Sequence, residues 1–165
     1  MMTARPTGDF QRIELRPHAG QFVIDELPAI MLCCAAWVYG GMEGLPLTAL
    51  AVPVATMLSL ALLYRFIYLR RTRYHIGSEQ LISRHGVLSR KTDYMEQYRI
   101  VDFVEHQSLM QQLCGLKTVR IFSTDRNTPR LDLVGIRHNF DVVTLLRERV
   151  EYNKRKKGIY EITNH

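Results

Sequence analysis

Residues 45–64 read LPLTALAVPVATMLSLALLY, an uninterrupted stretch without a charged side chain. A helix of this length is about 30 Å long, which matches the hydrocarbon core of a bilayer. Helices in the core of a soluble protein are seldom apolar on every face over such a length. Pro53 lies inside the stretch, and a membrane helix tolerates proline with a kink. We therefore predict a transmembrane helix over Leu45–Tyr64.

A second apolar run precedes this helix. Residues 27–42, LPAIMLCCAAWVYGGM, are uncharged but slightly short for a full span, and Phe22–Ile24 can extend them. The alternative for this run is a re-entrant or interfacial helix. Residues 40–44, GGMEG, are typical of a tight turn between antiparallel helices. The two runs together predict a transmembrane hairpin over residues 22–69.

Basic residues flank the outer ends of the hairpin, whereas its turn has no Lys or Arg. The positive-inside rule then places both termini in the cytoplasm and makes the chain a multi-pass membrane protein. The flanking cations are Arg5, Arg12, Arg16, Arg65, Arg70, Arg71 and Arg73.

The rest of the chain has the composition of a folded polar domain. Overall, 47% of the residues are apolar, which excludes a disordered or fibrous protein. Between Leu27 and Tyr64 the one charged residue is Glu43, so almost all of the 22 basic and 16 acidic residues lie outside the hairpin. The residues from Tyr74 onward are numerous enough for one compact core.

Alternating and turn-bounded segments predict a β-rich domain. In Ile100–His106 we expect Val101 and Phe103 on one face and Ile100 and Val104 on the other. Gly86 marks a bulge or a tight hairpin. The predicted strands are Arg73–Ile76, Gln80–His85, Val87–Met95, Ile100–His106, Thr118–Ser123 and Arg130–Val134.

Two helices are predicted among these strands. Ser108 and Gln111 have the spacing of a capping box, and Gly115 is a suitable stop for the short helix that follows. Asn139 can cap a second helix over Phe140–Asn153, whose apolar residues recur at helical spacing. The predicted fold class is an α+β membrane protein, in which the hairpin is followed by a small antiparallel barrel or sandwich capped by a C-terminal helix.

Two segments carry a family resemblance: residues 74–90, YHIGSEQLISRHGVLSR, and residues 98–121, YRIVDFVEHQSLMQQLCGLKTVRI. Together they resemble bacterial pleckstrin-homology (PH)-like membrane proteins, which often begin with a two-helix hairpin. The likeness covers about residues 70–153. It implies a seven-stranded β domain with a C-terminal helix, a location in the bacterial inner membrane, and a scaffold that in some members forms oligomers.

The resemblance and the composition divide the chain into four parts. We expect a cytoplasmic segment at 1–21, the hairpin at 22–69, the PH-like domain at 70–153 and a basic tail at 154–165. Eukaryotic PH domains often bind phosphoinositides through basic residues in the first loop between strands. The matching turn, Gly77–Glu79, has no cation and one acid, so this role is not carried over.

Cations form three dense sets, and residues 65–165 hold 19 basic and 11 acidic side chains. Each cation close to an anionic leaflet can contribute about 1 kcal/mol to membrane binding. The sets are therefore candidate contacts for lipids or partners, although the first can merely fix topology and the last can be a solvated tail. The candidates are Arg70, Arg71, Arg73, Arg84, Arg90, Lys91, Lys154, Arg155, Lys156 and Lys157.

No other chemistry is indicated by a motif. Cys33, Cys34 and Cys114 lack CxxC spacing, so no metal site is predicted. His75 and His85 can approach each other across a hairpin, but a metal needs further ligands. No nucleophile elbow, phosphate loop or nucleic-acid-binding motif occurs. We predict no catalytic residues, no cofactor and no nucleic-acid partner.

The predicted function is that of a non-enzymatic, membrane-anchored scaffold or binding module at the inner membrane face. It would organise a protein complex or assemble with copies of itself, and Gln107, Ser108 and the exposed strand edges are candidate partner surfaces. The alternatives are an accessory subunit of a transporter or lipid-handling system and a binder of anionic phospholipid headgroups.

Overall fold

The computed structural model describes residues 10–42 and 46–158 of the chain. Seven strands and four helices follow one another in an α+β arrangement, with a single 3-10 turn at Gln97–Arg99. In chain order they are β1 (Ile13–Leu15), α1 (Gly20–Gly40), α2 (Thr48–Arg71), β2 (Arg73–Ile76), β3 (Gln80–His85), β4 (Lys91–Glu96), β5 (Ile100–His106), α3 (Leu109–Leu113), β6 (Leu116–Ser123), β7 (Arg130–Arg137) and α4 (Val142–Lys156).

The helices α1 and α2 pack side by side, and each is long and apolar enough to cross a membrane. Small residues bring them close together: Ala55 is fully buried, and a Cβ on Gly40 would lie 3.0 Å from Val52 Cγ2. The Trp37 indole N–H donates to Ser59 Oγ across the pair (3.1 Å). Of the turn predicted at residues 40–44, Gly40 ends α1 and Gly41 caps it, and Glu43 and Gly44 lie outside the described residues.

Both helices are longer than the apolar runs that predicted them. The helix α1 starts at Gly20, seven residues before Leu27, and α2 continues to Arg71 beyond Tyr64. The added turns hold the polar contacts of the hairpin, including the ion pair between Arg65 and Glu26 (2.6 Å). Hydropathy alone marks the apolar part of a helix, whereas the backbone hydrogen bonds continue into its charged ends.

The strands form two antiparallel sheets in the orders β1-β2-β3-β4 and β5-β6-β7. The strand β1 was not predicted from the sequence. It pairs with β2, so that Ile13 faces Ile76 and Leu15 faces Tyr74. The residues immediately before and after the hairpin therefore belong to neighbouring strands of one sheet.

A single apolar core joins both sheets to α4. Val142, Leu146 and Val150 recur at a spacing of four residues and place one face of α4 against the strands. The strand residues of this core are Tyr74, Ile76, Leu81, Met95, Ile100, Val119, Ile121, Leu131, Leu133 and Ile136.

The short helix α3 is confirmed with its capping box. Ser108 Oγ accepts a hydrogen bond from the Gln111 backbone N–H (3.2 Å), and the Gln111 side chain accepts one from the Ser108 N–H (3.0 Å). Gly115 follows the helix in the left-handed conformation (φ +63°). Gln107 donates to the Leu116 carbonyl (2.7 Å), so Gln107 and Ser108 both serve the fold itself.

The strand β6 begins two residues before the predicted Thr118, β7 extends beyond the predicted Val134 to Arg137, and α4 covers Val142–Lys156 instead of Phe140–Asn153. Three further details of the sequence prediction are wrong. The strand β4 starts at Lys91 instead of Val87, because the chain turns tightly at Gly86 (φ +113°), where a Cβ would lie 1.9 Å from the Ser89 carbonyl oxygen. The helix α4 is capped by Asp141 instead of Asn139, since the Asp141 carboxylate accepts the Thr144 N–H (3.1 Å).

The third error concerns the faces of β5. A register shift between Ile100 and Asp102 brings Ile100 and Phe103 to the core side, and leaves Val101 and Val104 exposed. Strict alternation along the strand pairs Val101 with Phe103 on one face, because the pattern does not allow for the extra residue of a β-bulge.

Two polar side chains on the core face of α4 fasten this helix to the first sheet. Arg149 is 3% exposed, and its guanidinium donates to the carbonyls of Ile76 (3.0 Å) and Gln11 (2.8 Å). Asn153 donates to the Ser78 carbonyl (2.7 Å). Burial lowers the pKa of Arg149, but an arginine remains charged in proteins. These bonds satisfy backbone carbonyls that would otherwise be buried without a donor.

We expect Arg149→Met to lower the free energy of unfolding by about 3 kcal/mol, because it leaves buried carbonyl groups without a donor. Arg147→Met is the matched control, since Arg147 lies on the exposed side of the same helix and should shift stability by less than about 0.5 kcal/mol. Urea denaturation in mild detergent measures both. Equal effects of the two substitutions would contradict the role of Arg149.

Candidate functional site

A groove rich in cations lies where α2 passes into the first sheet. Only Thr72 separates the end of α2 from β2, so the basic end of the helix is held beside the strands. The groove has a volume of about 640 Å³. Its lining consists of Arg70, Arg71, Arg73, His75, Arg84, His85, Gly86, Arg90, Lys91 and Thr92.

The strand register explains why cations from distant parts of the sequence meet here. In the pairing of β2 with β3, Arg73 stands directly opposite Arg84. In the pairing of β3 with β4, His85 stands opposite Lys91. The tight turn between these strands adds Arg90. The structure thus brings together six of the predicted candidate residues, which the sequence shows as two separate sets.

The positive charge of the groove is only partly compensated. Arg73 forms an ion pair with Glu14 (3.1 Å), and Lys91 forms one with Asp93 (3.3 Å). A hydrogen bond from Arg16 is the main reason why the pKa of Glu14 is lowered, and Arg73 contributes to it. Within residues 10–42 and 46–158, no acidic partner is found for Arg70, Arg71, Arg84 and Arg90. Such an arrangement favours an anionic ligand.

His75 lies within the groove and has an unused polar atom. Its Nε2 is buried and has no hydrogen-bond partner among the described residues. The pKa of His75 is lowered, mainly because burial disfavours the charged ring; Arg84, Arg73 and Arg12 add to this effect, and Glu14 opposes it. The ring is therefore neutral at pH 7. An anion in the groove would reverse the electrostatic part of this shift.

The predicted approach of His75 to His85 is not found. The register places His75 opposite Ile82, on the face of the sheet that carries Arg73 and Arg84, whereas His85 ends β3 on the other face. The two residues are therefore not cross-strand neighbours, although both line the groove. The His85 ring instead lies 6.1 Å from the ring of Tyr68 in α2. The described residues contain no group of three side chains that could hold a metal ion.

The C-terminal basic set lies elsewhere. Lys156 forms an ion pair with Glu79 in the β2–β3 turn (2.6 Å), and Lys157 Nζ lies 3.8 Å from the centre of the Tyr98 ring. This turn is at the opposite end of β3 from the groove, a distance of about 16 Å along a six-residue strand. Lys154, Arg155, Lys156 and Lys157 therefore do not join the other six candidates.

The β2–β3 turn itself is occupied by the protein's own side chains. Gln97 donates to the Gly77 carbonyl (3.0 Å), and Asn153 and Arg149 approach from α4. The carbonyls and the one acid of the turn are thus already bonded.

Sequence reasoning missed a second cavity, between the hairpin and the domain. It has a volume of about 360 Å³ and is lined mainly by apolar and aromatic groups, among them Phe22, Tyr68 and Tyr74. Tyr74 is almost fully buried, which raises its pKa to about 12. Its hydroxyl oxygen accepts a hydrogen bond from the Val134 N–H (3.3 Å). No local sequence pattern could indicate this cavity, because its lining residues come from five different elements: α1, α2, β2, β3 and β7.

The fold and the groove define a class of protein: a small α+β binding domain that carries a pair of apolar helices and has beside them a basic surface that its own acids compensate only in part. The family model of the bacterial PH domain matches residues 22–150, which include both helices and most of α4. The chain belongs to the bacterial PH domain family. No curated protein and no solved structure matches it. PH domains are generally non-catalytic binding modules.

The lowered pKa of His75 predicts a pH dependence of stability. The unfolded state has the ordinary histidine pKa of 6.5 and so binds a proton more readily than the folded state. The contribution of His75 to stability is complete above this pH and is lost as the pH falls toward the lower folded-state value. We expect the free energy of unfolding of His75→Gln to fall less steeply between about pH 7 and pH 5 than that of the wild type.

Denaturation of the full chain in detergent at a series of pH values measures this difference. His138→Gln, which removes an exposed histidine of the same domain, is the control for the loss of a histidine as such. An unchanged slope in His75→Gln would show that the ring does not titrate as described.

Proposed function

We propose that the chain is a non-enzymatic PH-like module anchored by its helical hairpin, and that its basic groove binds the anionic headgroups of phospholipids beside that hairpin. In this proposal α1 and α2 cross the bacterial inner membrane, both termini are cytoplasmic, and the two sheets are the layers of a PH-like sandwich. The observation that carries the proposal is the convergence of six cations at the end of α2.

The orientation of the helices in the membrane does not by itself account for this convergence of cations. The positive-inside rule explains cations that directly follow an apolar helix, such as Arg70 and Arg71. It does not explain Arg84, Arg90 and Lys91, which the fold brings back to the same place from the β3–β4 hairpin. Like charges placed opposite each other on paired strands repel, and while Glu14 compensates Arg73, no acidic partner is found for Arg84 among the described residues. A phospholipid phosphate at the membrane surface would supply an anion for Arg84.

The position of the groove also favours a lipid ligand. The apolar part of the hairpin ends at the ion pair of Arg65 with Glu26, only a few residues before Arg70. If the helices cross the bilayer, the groove lies at the depth of the headgroups. Guanidinium groups bind phosphate oxygens with two parallel hydrogen bonds, which gives geometric as well as electrostatic selectivity.

We expect the double variant Arg84→Gln/Arg90→Gln to bind phosphatidylglycerol about 30-fold more weakly than the wild type, since each cation contributes about 1 kcal/mol. Native mass spectrometry of the full chain in mild detergent, titrated with phosphatidylglycerol or phosphatidylcholine, measures the apparent affinity. The preference for phosphatidylglycerol should also decrease with salt.

The variant Arg155→Gln/Lys157→Gln removes the same charge from the far end of the domain and is the matched control. It should keep the wild-type preference. Equal losses in both variants would point to a general effect of net charge and contradict a site in the groove.

The exposed face of α3 favours a second candidate function, that of a scaffold. Leu109 and Leu113 are 77% and 83% exposed and share one side of the helix, opposite the buried Gln111. Exposed apolar groups that lie together are typical of protein–protein contacts. The helix lies beside the start of α1, because Gln111 donates to the Gln21 side chain (2.9 Å). A second copy of the chain could bury this face.

If α3 mediates self-assembly, Leu109→Ser/Leu113→Ser should convert an oligomer into a monomer, because both apolar contacts are lost. Light scattering of the full chain in mild detergent gives the mass. Val101→Ser is the control, since Val101 is also exposed but lies at the other end of β5. A wild-type chain that is already monomeric would remove self-assembly from the proposal.

A further inference from the structure

The turn between β3 and β4 has an unusual combination of residues. Leu88 at its tip is 90% exposed, more than any other large apolar side chain of the described residues. Among the groove cations, Arg84 lies four residues before Leu88, and Arg90 and Lys91 lie two and three residues after it. Isolated exposed leucines need no explanation, but an apolar tip ringed by cations is the pattern of proteins that dip into an anionic membrane surface.

The strand register directs this turn toward the hairpin. Arg84 stands opposite Arg73, at the point where β2 leaves α2. Beyond Arg84 the chain continues back along α2, as the contact of the His85 ring with Tyr68 shows. The turn thus runs beside the last turns of α2 and away from the domain core.

The lengths limit how far the tip of the turn extends toward the end of the apolar hairpin. Leu88 lies four residues after Arg84, at most about 13 Å of extended chain. Arg65 lies seven residues before Thr72, about 10 Å of helix. At this upper limit the tip would reach the level of the Arg65–Glu26 ion pair, where the apolar part of the hairpin ends, and the bend at Gly86 shortens the reach.

The backbone of the turn is built to hold this tip. Gly86 has a φ of +113°, and a Cβ at this position would lie 1.9 Å from the Ser89 carbonyl oxygen. This close approach bends the chain sharply and leaves Leu88 outside the bend. The apolar side chain gains no contact within the domain in return, since it remains 90% exposed.

We propose that the β3–β4 turn is a membrane-inserting finger, in which Leu88 enters the acyl region of the leaflet that surrounds α2 while the groove cations contact its phosphates. The proposal rests on the proposed function, because the hairpin must cross the bilayer for the turn to reach it. The finger gives the domain a second point of attachment beside α2, and so fixes its orientation on the membrane.

Tryptophan fluorescence tests this, because Trp37 is the only tryptophan of the chain. The full-length variant Trp37→Phe/Leu88→Trp is reconstituted into phosphatidylcholine–phosphatidylglycerol vesicles that contain lipids brominated near the headgroup end of the acyl chain. We expect the indole at position 88 to be quenched at least about twofold more strongly than in the control Trp37→Phe/Val101→Trp. Val101 is also exposed, at 62%, but lies at the end of β5 that is remote from the hairpin.

The outcomes separate the finger from the anchor. If Trp37 of the wild type is quenched but the indole at position 88 is not, the finger is overturned and the hairpin still lies in the membrane. A turn that binds a protein partner instead of lipid would give this same result. Absence of Trp37 quenching would overturn the anchor and the finger with it. If Trp37→Phe disturbs the hairpin, Trp37 is retained, and the quenching of Leu88→Trp is compared with that of the wild type. The additional quenching then comes from the indole at position 88.

Discussion

The pairing of β1 with β2 is the constraint on which the rest of the structure depends. These strands flank the hairpin in the sequence, and their ladder, in which Glu14 faces His75, joins its two ends within one sheet. The hairpin is thus enclosed between neighbouring strands, and both helices emerge from the domain at the same place. Because Thr72 is the only residue between α2 and β2, the basic end of the helix and the strand cations cannot separate.

The same ladder determines the electrostatics of the groove. Glu14 reaches Arg73 and Arg16 from β1, so the N-terminal strand supplies acidic compensation to a surface that is otherwise basic. Four groove arginines keep their charge free of acidic partners in the described part of the chain. Of the C-terminal cations, Lys156 pairs with Glu79 and Lys157 lies against the Tyr98 ring, both at the end of the domain away from the groove.

Much of this architecture follows from local patterns in the sequence. Alternation and turn residues predicted the bounds of three strands, β2, β3 and β5. The spacing of Ser108 and Gln111 predicted the capping box of α3, and the long uncharged runs predicted the two apolar helices. The strand β1 was missed because three residues carry too little pattern, and the bulge in β5 because alternation assumes a regular ladder. The sequence identified the cations of the groove as candidate residues but could not show that they lie together. Their proximity depends on the strand register, which places Arg84 opposite Arg73. Arg149 could have been found, because it falls on the apolar stripe of α4.

The direct passage from α2 into β2 has a mechanical consequence. A helix that continues into a sheet through a single residue behaves as a stiff lever, so a change in the tilt of α2 must turn the whole domain. Helices adjust their tilt to the thickness of the surrounding hydrocarbon layer. If the helices cross a bilayer as proposed, the orientation of the two sheets would thus follow the local thickness of the lipid, without a change in the domain itself.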